Sequence, residues 1–196
     1  EARRIPSNNG ILCVFLLIST FSSSEIILKG LADVRAELKV QNINMKIDTA
    51  AEYYLDYDFE QKIGEEKFLT FGDNYLLVEL SFAEAQKNLF DIIFKLQLEG
   101  YQVVLAHPER YHYFQMKDYE DLVSRGVLLQ INWLSLVDYY SLKIKNKTED
   151  LIAANMVSFV GTDCHNIHHA KLYKECQTKK AWHDLYNSGK LLNSTL

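Results

Sequence analysis

What most constrains this chain is a repeated step: a short apolar run ending at or near an acid or an imidazole, then a stretch of helical period. Runs rich in Val, Ile, Leu and Tyr fall at 46–51, 75–78, 102–106, 127–131 and 157–161, which predicts mostly buried strands. Between them, Ser22 to Ser24 can cap a helix that carries Ile27, Leu31, Val34 and Leu38 on one face, and Leu89, Ile92, Ile93 and Leu96 share a face within 83–98. Helices are also predicted over 118–125, 148–155 and 171–187.

Alternating strands and helices argue for a parallel sheet, either open and doubly wound or closed into a barrel. The residues closing the predicted strands, Glu52, Glu79, His107, Asn132 and Asp163, lie 27, 28, 25 and 31 positions apart, near the roughly 30 residues of one βαβ step. No Gly-rich loop of the dinucleotide or nucleoside-triphosphate kind is present, which favours the barrel. At 196 residues the chain is shorter than an eightfold barrel of roughly 250, so the predicted barrel is small or incomplete. With no repeat, linker or low-complexity block, one domain is expected.

Composition removes several functions. Twenty-one Lys and Arg against 26 Asp and Glu give a charge of −5, so a broad basic face for nucleic acid is not expected. Cys13, Cys164 and Cys176 have neither the number nor the spacing of a disulfide framework or structural zinc site, which points to a reducing compartment, the cytoplasm. The longest apolar run, 11–18, is too short to span a bilayer as a helix, so stable membrane insertion is not expected. Preceded by Arg3 and Arg4 and followed by serines, it reads as a buried strand or as an imitation of a secretory leader. A third reading is that Glu1 is not the natural start of the domain.

In a parallel barrel the C-terminal strand ends converge on one mouth. Glu52, Glu79, His107, Asp163 and His165 would then share a small volume, where carboxylates stay ionised only if a cation holds them. Mixed nitrogen and oxygen donors suit manganese, iron or zinc better than magnesium or calcium. Each residue also has a plainer role: Glu52 a solvated helix start, His107 a core histidine in an extended segment before Pro108, Arg110 a surface partner of Glu109 or Asp118. Asp163 and His165 face the same way if their segment is extended. Arg110, three residues past His107, can grip a phosphate through two parallel hydrogen bonds. Phe82, Tyr111, Tyr113 and Phe114 are an aromatic wall for the mouth or core. Cys164 lacks the loop a phosphatase thiolate needs, and His168 and His169 read as solvated helix residues.

At His107-Pro108-Glu109-Arg110-Tyr111, Gly161-Thr162-Asp163-Cys164-His165-Asn166 and Ala51-Glu52-Tyr53-Tyr54-Leu55, the sequence resembles the metal-dependent bacterial tyrosine phosphatases of capsule and exopolysaccharide gene clusters, in the polymerase and histidinol phosphatase (PHP) superfamily. The resemblance runs from about Glu25 to about His169. It implies an α/β fold, an incomplete distorted (β/α)7 barrel of parallel strands over 25–196, and a mouth holding up to three divalent ions, commonly manganese. By resemblance Glu52, Glu79, His107, Asp163 and His165 are metal ligands, with Arg110 and His107 as catalytic residues and Arg110 on the phosphate. The implied substrate is phosphotyrosine on the C-terminal tail of a polysaccharide co-polymerase tyrosine kinase. The family's opening His-x-His, Asp and His have no match: the first histidine is His107 and the first aspartate Asp33. Residues 1–24 are therefore expected to be an atypical segment foreign to the family domain, and activity to be low or absent. The alternatives are an inactive remnant that binds a phosphotyrosine tail, and a phosphatase for small metabolites such as histidinol phosphate.

Overall fold

The computed structural model describes residues 24–196. In chain order these form α1 (Ser24–Val40), β1 (Glu52–Tyr54), α2 (Tyr57–Lys62), β2 (Tyr75–Glu79), α3 (Leu89–Leu98), β3 (Gln102–Ala106), α4 (Met116–Ser124), β4 (Leu128–Asn132), α5 (Leu142–Ala153), β5 (Val157–Gly161), α6 (Ile167–Cys176) and α7 (Lys180–Asn187). The expectation for residues 1–24 lies almost wholly outside the described part.

The five strands form one parallel sheet in the order β1-β2-β3-β4-β5. Sequential order means that each crossover places its strand beside the last, as in a barrel; a doubly wound sheet reverses direction at a switch point. Among the described residues the sheet does not close. Both faces are covered, which is why the strands read as continuous apolar runs and not as alternating ones. Leu76, Val78, Val103, Leu105, Leu129 and Ile131 pack with Ile92, Ile93 and Leu96 of α3, Tyr119 and Leu122 of α4, and Leu151 of α5. On the opposite, inner face Leu77, Val104, Ala106 and Phe159 meet Ala50 and Phe71, with Leu192 and Leu196 packed against them.

Three helix-to-strand turns share one device. Gly100 (φ 86°), Gly126 (φ 83°) and Asn155 (φ 56°) end α3, α4 and α5 in the left-handed region, and the next amide bonds back: Tyr101 N to Leu96 O at 3.1 Å, Val127 N to Leu122 O at 3.1 Å, Met156 N to Leu151 O at 3.1 Å. Glycine and asparagine adopt that conformation at least cost, so each helix stops where the following strand must begin.

Several expected boundaries move. Residues 46–51 form no strand; β1 starts at Glu52, where register with Leu77 begins. Ile47, Ala50 and Ala51 are buried by packing, so their apolar signal reflected core and not pairing. Helix 83–98 starts only at Leu89, after Asn88, whose Nδ2 donates to Glu60 Oε2 at 2.7 Å. The 171–187 stretch is two helices, α6 and α7, parted near Thr178, whose hydroxyl donates to Glu175 O at 2.7 Å and competes with the helical ladder. The short helix α2 had no predicted counterpart; Asp56 Oδ1 caps it by accepting from Phe59 N at 2.8 Å.

Candidate metal centre

Register aims the acids. Glu52 pairs with Leu77 and Tyr54 with Glu79, while Leu77 pairs with Val104. Paired positions in a parallel ladder share a face, so Glu52 and Glu79 lie on the inner side with Leu77, Val104 and Ala106. Glu52 opens β1; it does not close a preceding strand, yet the register still brings it to the mouth. His107 leaves β3 in the left-handed region (φ 33°, ψ 53°) and not in the extended conformation expected before Pro108. Proline disfavours the right-handed helical region for its predecessor, and here the chain takes the left-handed alternative to enter the tight turn Pro108–Arg110, closed by Arg110 N donating to His107 O at 3.0 Å.

That turn presents the His107 imidazole to both acids. Its Nε2 lies 3.3 Å from Glu52 Oε1 and 3.3 Å from Glu79 Oε1, and the three ligand atoms lie within 4.8 Å of one another. Burial works against a charge on His107, but hydrogen bonds to Glu52 and Glu79 and the charge of Glu52 outweigh it and push its pKa up to about 9. One ring proton cannot align with two carboxylates at once, and buried Glu52 Oε1 is left without an aligned hydrogen bond. Two carboxylates and an imidazole converging on one point are a fitting donor set for a divalent cation of the manganese, iron or zinc type.

Asp163 is brought to the same rim by another route. Its Oδ2 accepts from Asn132 Nδ2 at 2.7 Å and sits 3.5 Å from Arg110 Nη1. Asp163 is itself left-handed (φ 46°), so the Asp163-Cys164-His165 segment is not extended. His165 instead folds back on Asp163, with Nδ1 2.9 Å from Asp163 O and 3.3 Å from Asp163 Oδ1, and its side chain is 58% exposed. Neither Asp163 nor His165 joins the cluster of Glu52, Glu79 and His107. Cys164 is exposed, its thiol turned to Asn166 O. His169, expected in solvent, is buried, with Nε2 2.8 Å from the Tyr139 hydroxyl; His168 is exposed.

Arg110 pairs with neither Glu109 nor Asp118. Glu109 turns inward, where its Oε1 accepts from Asn132 N at 2.9 Å and Ser135 Oγ at 2.6 Å, and burial pushes its pKa up. Asp118 accepts from Gln115 N at 2.7 Å to cap α4. Of the expected aromatic wall, Tyr111 and Phe114 are core, with Tyr111 Oη accepting from Leu80 N at 2.9 Å. Tyr113 is half-buried and donates to Ser81 O at 2.6 Å, while Phe82 remains 40% exposed at the mouth. Asn132 is a rim residue outside the expected set; its position at the end of β4, like that of Glu79 at the end of β2, is the signal in the sequence.

A family model for capsular polysaccharide synthesis proteins CpsB/CapC matches residues 19–183. The chain belongs to the CpsB/CapC family. It is similar to the tyrosine-protein phosphatase YwqE of Bacillus subtilis, 31% identical over 113 residues that cover 56% of this chain and 44% of the relative. It is also similar to the tyrosine-protein phosphatase CpsB of Streptococcus agalactiae, 24% identical over 152 residues, 73% of this chain and 62% of the relative. The chain therefore spans less than two thirds of these CpsB/CapC relatives. Its fold is that of a solved structure described among YwqE from B. subtilis and CpsB from Streptococcus pneumoniae, unique metal-dependent tyrosine phosphatases. The TM-score is 0.73 at 23% identity, covering 87% of this chain and 69% of that one. None of the described helices is long and apolar enough to cross a membrane.

Proposed function

We propose that this CpsB/CapC chain is a metal-dependent tyrosine phosphatase. Its metal, manganese by the family resemblance and of the manganese, iron or zinc type by donor chemistry, is held by Glu52, Glu79 and His107, with Asp163 and His165 completing the rim. The observation that carries this reading is the approach of His107 Nε2 to 3.3 Å from two carboxylates on neighbouring strands, beside a charged arginine. A divalent ion bound there supplies Lewis-acid charge compensation and water activation. Glu52 and Glu79 act as its anionic anchors, and His107 joins them by giving up its Nε2 proton. Arg110 binds phosphoryl oxygens with its N–H fork, and its charge stabilises the negative charge that grows there during transfer. Asn132 holds the Asp163 carboxylate in place by donating from Nδ2. No cysteine nucleophile is needed, in keeping with the outward turn of Cys164.

The substrate in this reading is phosphotyrosine on the tail of a polysaccharide co-polymerase kinase in the cytoplasm. A phosphotyrosine-binding module without turnover is favoured by one observation: Asp163 is engaged by Asn132 and Arg110 and stands apart from the three-residue cluster. Purified protein supplied with Mn²⁺ and a phosphotyrosine peptide decides between them. Turnover abolished by chelator and by His107→Ala supports the phosphatase, whereas peptide binding with no phosphate release supports the module. Faster hydrolysis of histidinol phosphate than of the peptide would instead favour a metabolite phosphatase.

A further inference from the structure

Arg110 has few partners for a half-buried cation. Its one carboxylate contact among the described residues is Asp163 at 3.5 Å, long for a charge-assisted bond. Two aromatic rings do more: the guanidinium carbon lies over Phe82, 4.6 Å from the ring centroid, and over Tyr140, 4.9 Å from the centroid. Both distances are well inside cation–π range.

The rings come from opposite parts of the sequence, Phe82 from the loop after β2 and Tyr140 from the loop before α5, and each is fixed independently of Arg110. Phe82 stacks on His107 (5.5 Å between centroids, 25° between planes) and on Tyr111 (5.6 Å, 27°). Tyr140 packs edge-on against Tyr139 at 5.0 Å, and its hydroxyl accepts from Asn132 Nδ2 at 3.3 Å. A ring face attracts a cation without being a strong hydrogen-bond acceptor, so these contacts confine the side chain while leaving its N–H donors available. A long side chain immobilised beforehand loses less entropy when an oxyanion arrives.

Resting on the phosphatase reading, we propose that Phe82 and Tyr140 are positioning residues that clamp Arg110 at the mouth, so that its N–H fork, held otherwise among the described residues only by the long contact to Asp163, meets a phosphoryl group in a fixed orientation. Phe82 also touches the His107 ring, which ties the phosphate-binding arginine to the candidate metal-binding histidine through one side chain.

The test is calorimetric titration of the full chain, loaded with Mn²⁺, with inorganic phosphate, alongside turnover of an aryl phosphate. Arg110→Ala is expected to abolish phosphate binding. Phe82→Leu and Tyr140→Leu, which keep apolar bulk but lose the ring face, are expected to weaken it by about three- to tenfold each, raising KM more than they lower kcat. Phe82→Tyr and Tyr140→Phe are expected to recover most of that loss, a rescue that a merely space-filling role does not give. Leucine variants that bind phosphate as the wild type does overturn the clamp; if the wild type still turns over, the phosphatase reading survives. Phosphate binding that depends on Arg110 and on both rings, with no turnover, upholds the clamp and removes the phosphatase. Wild-type protein with no Arg110-dependent phosphate binding overturns the clamp outright.

Discussion

Asn132 Nδ2 donates to Asp163 Oδ2 across 2.7 Å, joining the end of β4 to the loop that follows β5. Asn132 is fully buried, its backbone amide is held by Glu109, and its side chain also reaches Tyr140. One residue thus links the turn after β3 through its backbone amide, and the carboxylate at the rim and an aromatic neighbour of Arg110 through its side chain. Asn132→Ala strips two acceptors of their donor, so a loss of about 1–3 kcal/mol in unfolding free energy is expected from urea titration. An unchanged denaturation midpoint would remove Asn132 as a structural link.

Glu52 and Glu79 converge on a single imidazole nitrogen, and removing one anionic ligand should weaken a cation held between them. Glu79→Gln keeps the size of the side chain and removes its charge. Elemental analysis after dialysis against limiting Mn²⁺ is expected to show affinity reduced by at least about tenfold. Retention of wild-type metal content by both Glu79→Gln and Glu52→Gln excludes this centre.

In chelator-treated protein, His107 makes stability depend on pH. Its folded pKa of about 9 lies above the ordinary value of 6.5. The stabilisation from its protonated form is therefore complete below about pH 6.5 and is lost as pH rises through about 9. The unfolding free energy is expected to fall across that window by up to about 3 kcal/mol. The fall should vanish in His107→Gln; a slope that persists in that variant assigns the effect elsewhere.

Gly161 ends β5 where a side chain has no room: an added Cβ would lie 2.6 Å from Gln130 Nε2 and 2.9 Å from Gln130 Cδ. Gln130 is itself buried on β4. Gly161→Ala must displace it beside the mouth, at an expected cost of about 1–3 kcal/mol in thermal or urea unfolding. A neutral result would mean that the Gln130 side chain swings aside freely.

The strands β2, β3 and β5 were legible to within a residue because both faces of the sheet are covered, which writes continuous apolar runs into the chain. The same runs misled at 46–51, where burial comes from packing without strand pairing. The break between α6 and α7 carries no Gly or Pro, and its one local mark, the Thr178 hydroxyl, is weak because threonine is also accommodated within helices, as Thr148 is in α5. The strand-end pattern picked out Glu52, Glu79, His107, Asp163 and His165 because strand ends in a parallel sheet share one rim whatever their distance along the chain, and the motif resemblance added Arg110 in the turn after β3.

By itself the sequence determined that Glu79, His107 and Asp163 stand at the exits of parallel strands, since periodicity and spacing are local properties, whereas pairing decided that Glu52 opens its strand. Tertiary structure alone decided which of them meet. The left-handed turns at His107 and Asp163 rotate one imidazole onto two carboxylates and draw Asp163 toward Asn132 and Arg110. Those backbone choices depend on loop closure and on buried hydrogen bonds such as Glu109 to Asn132, made between residues 23 positions apart, which no local window contains.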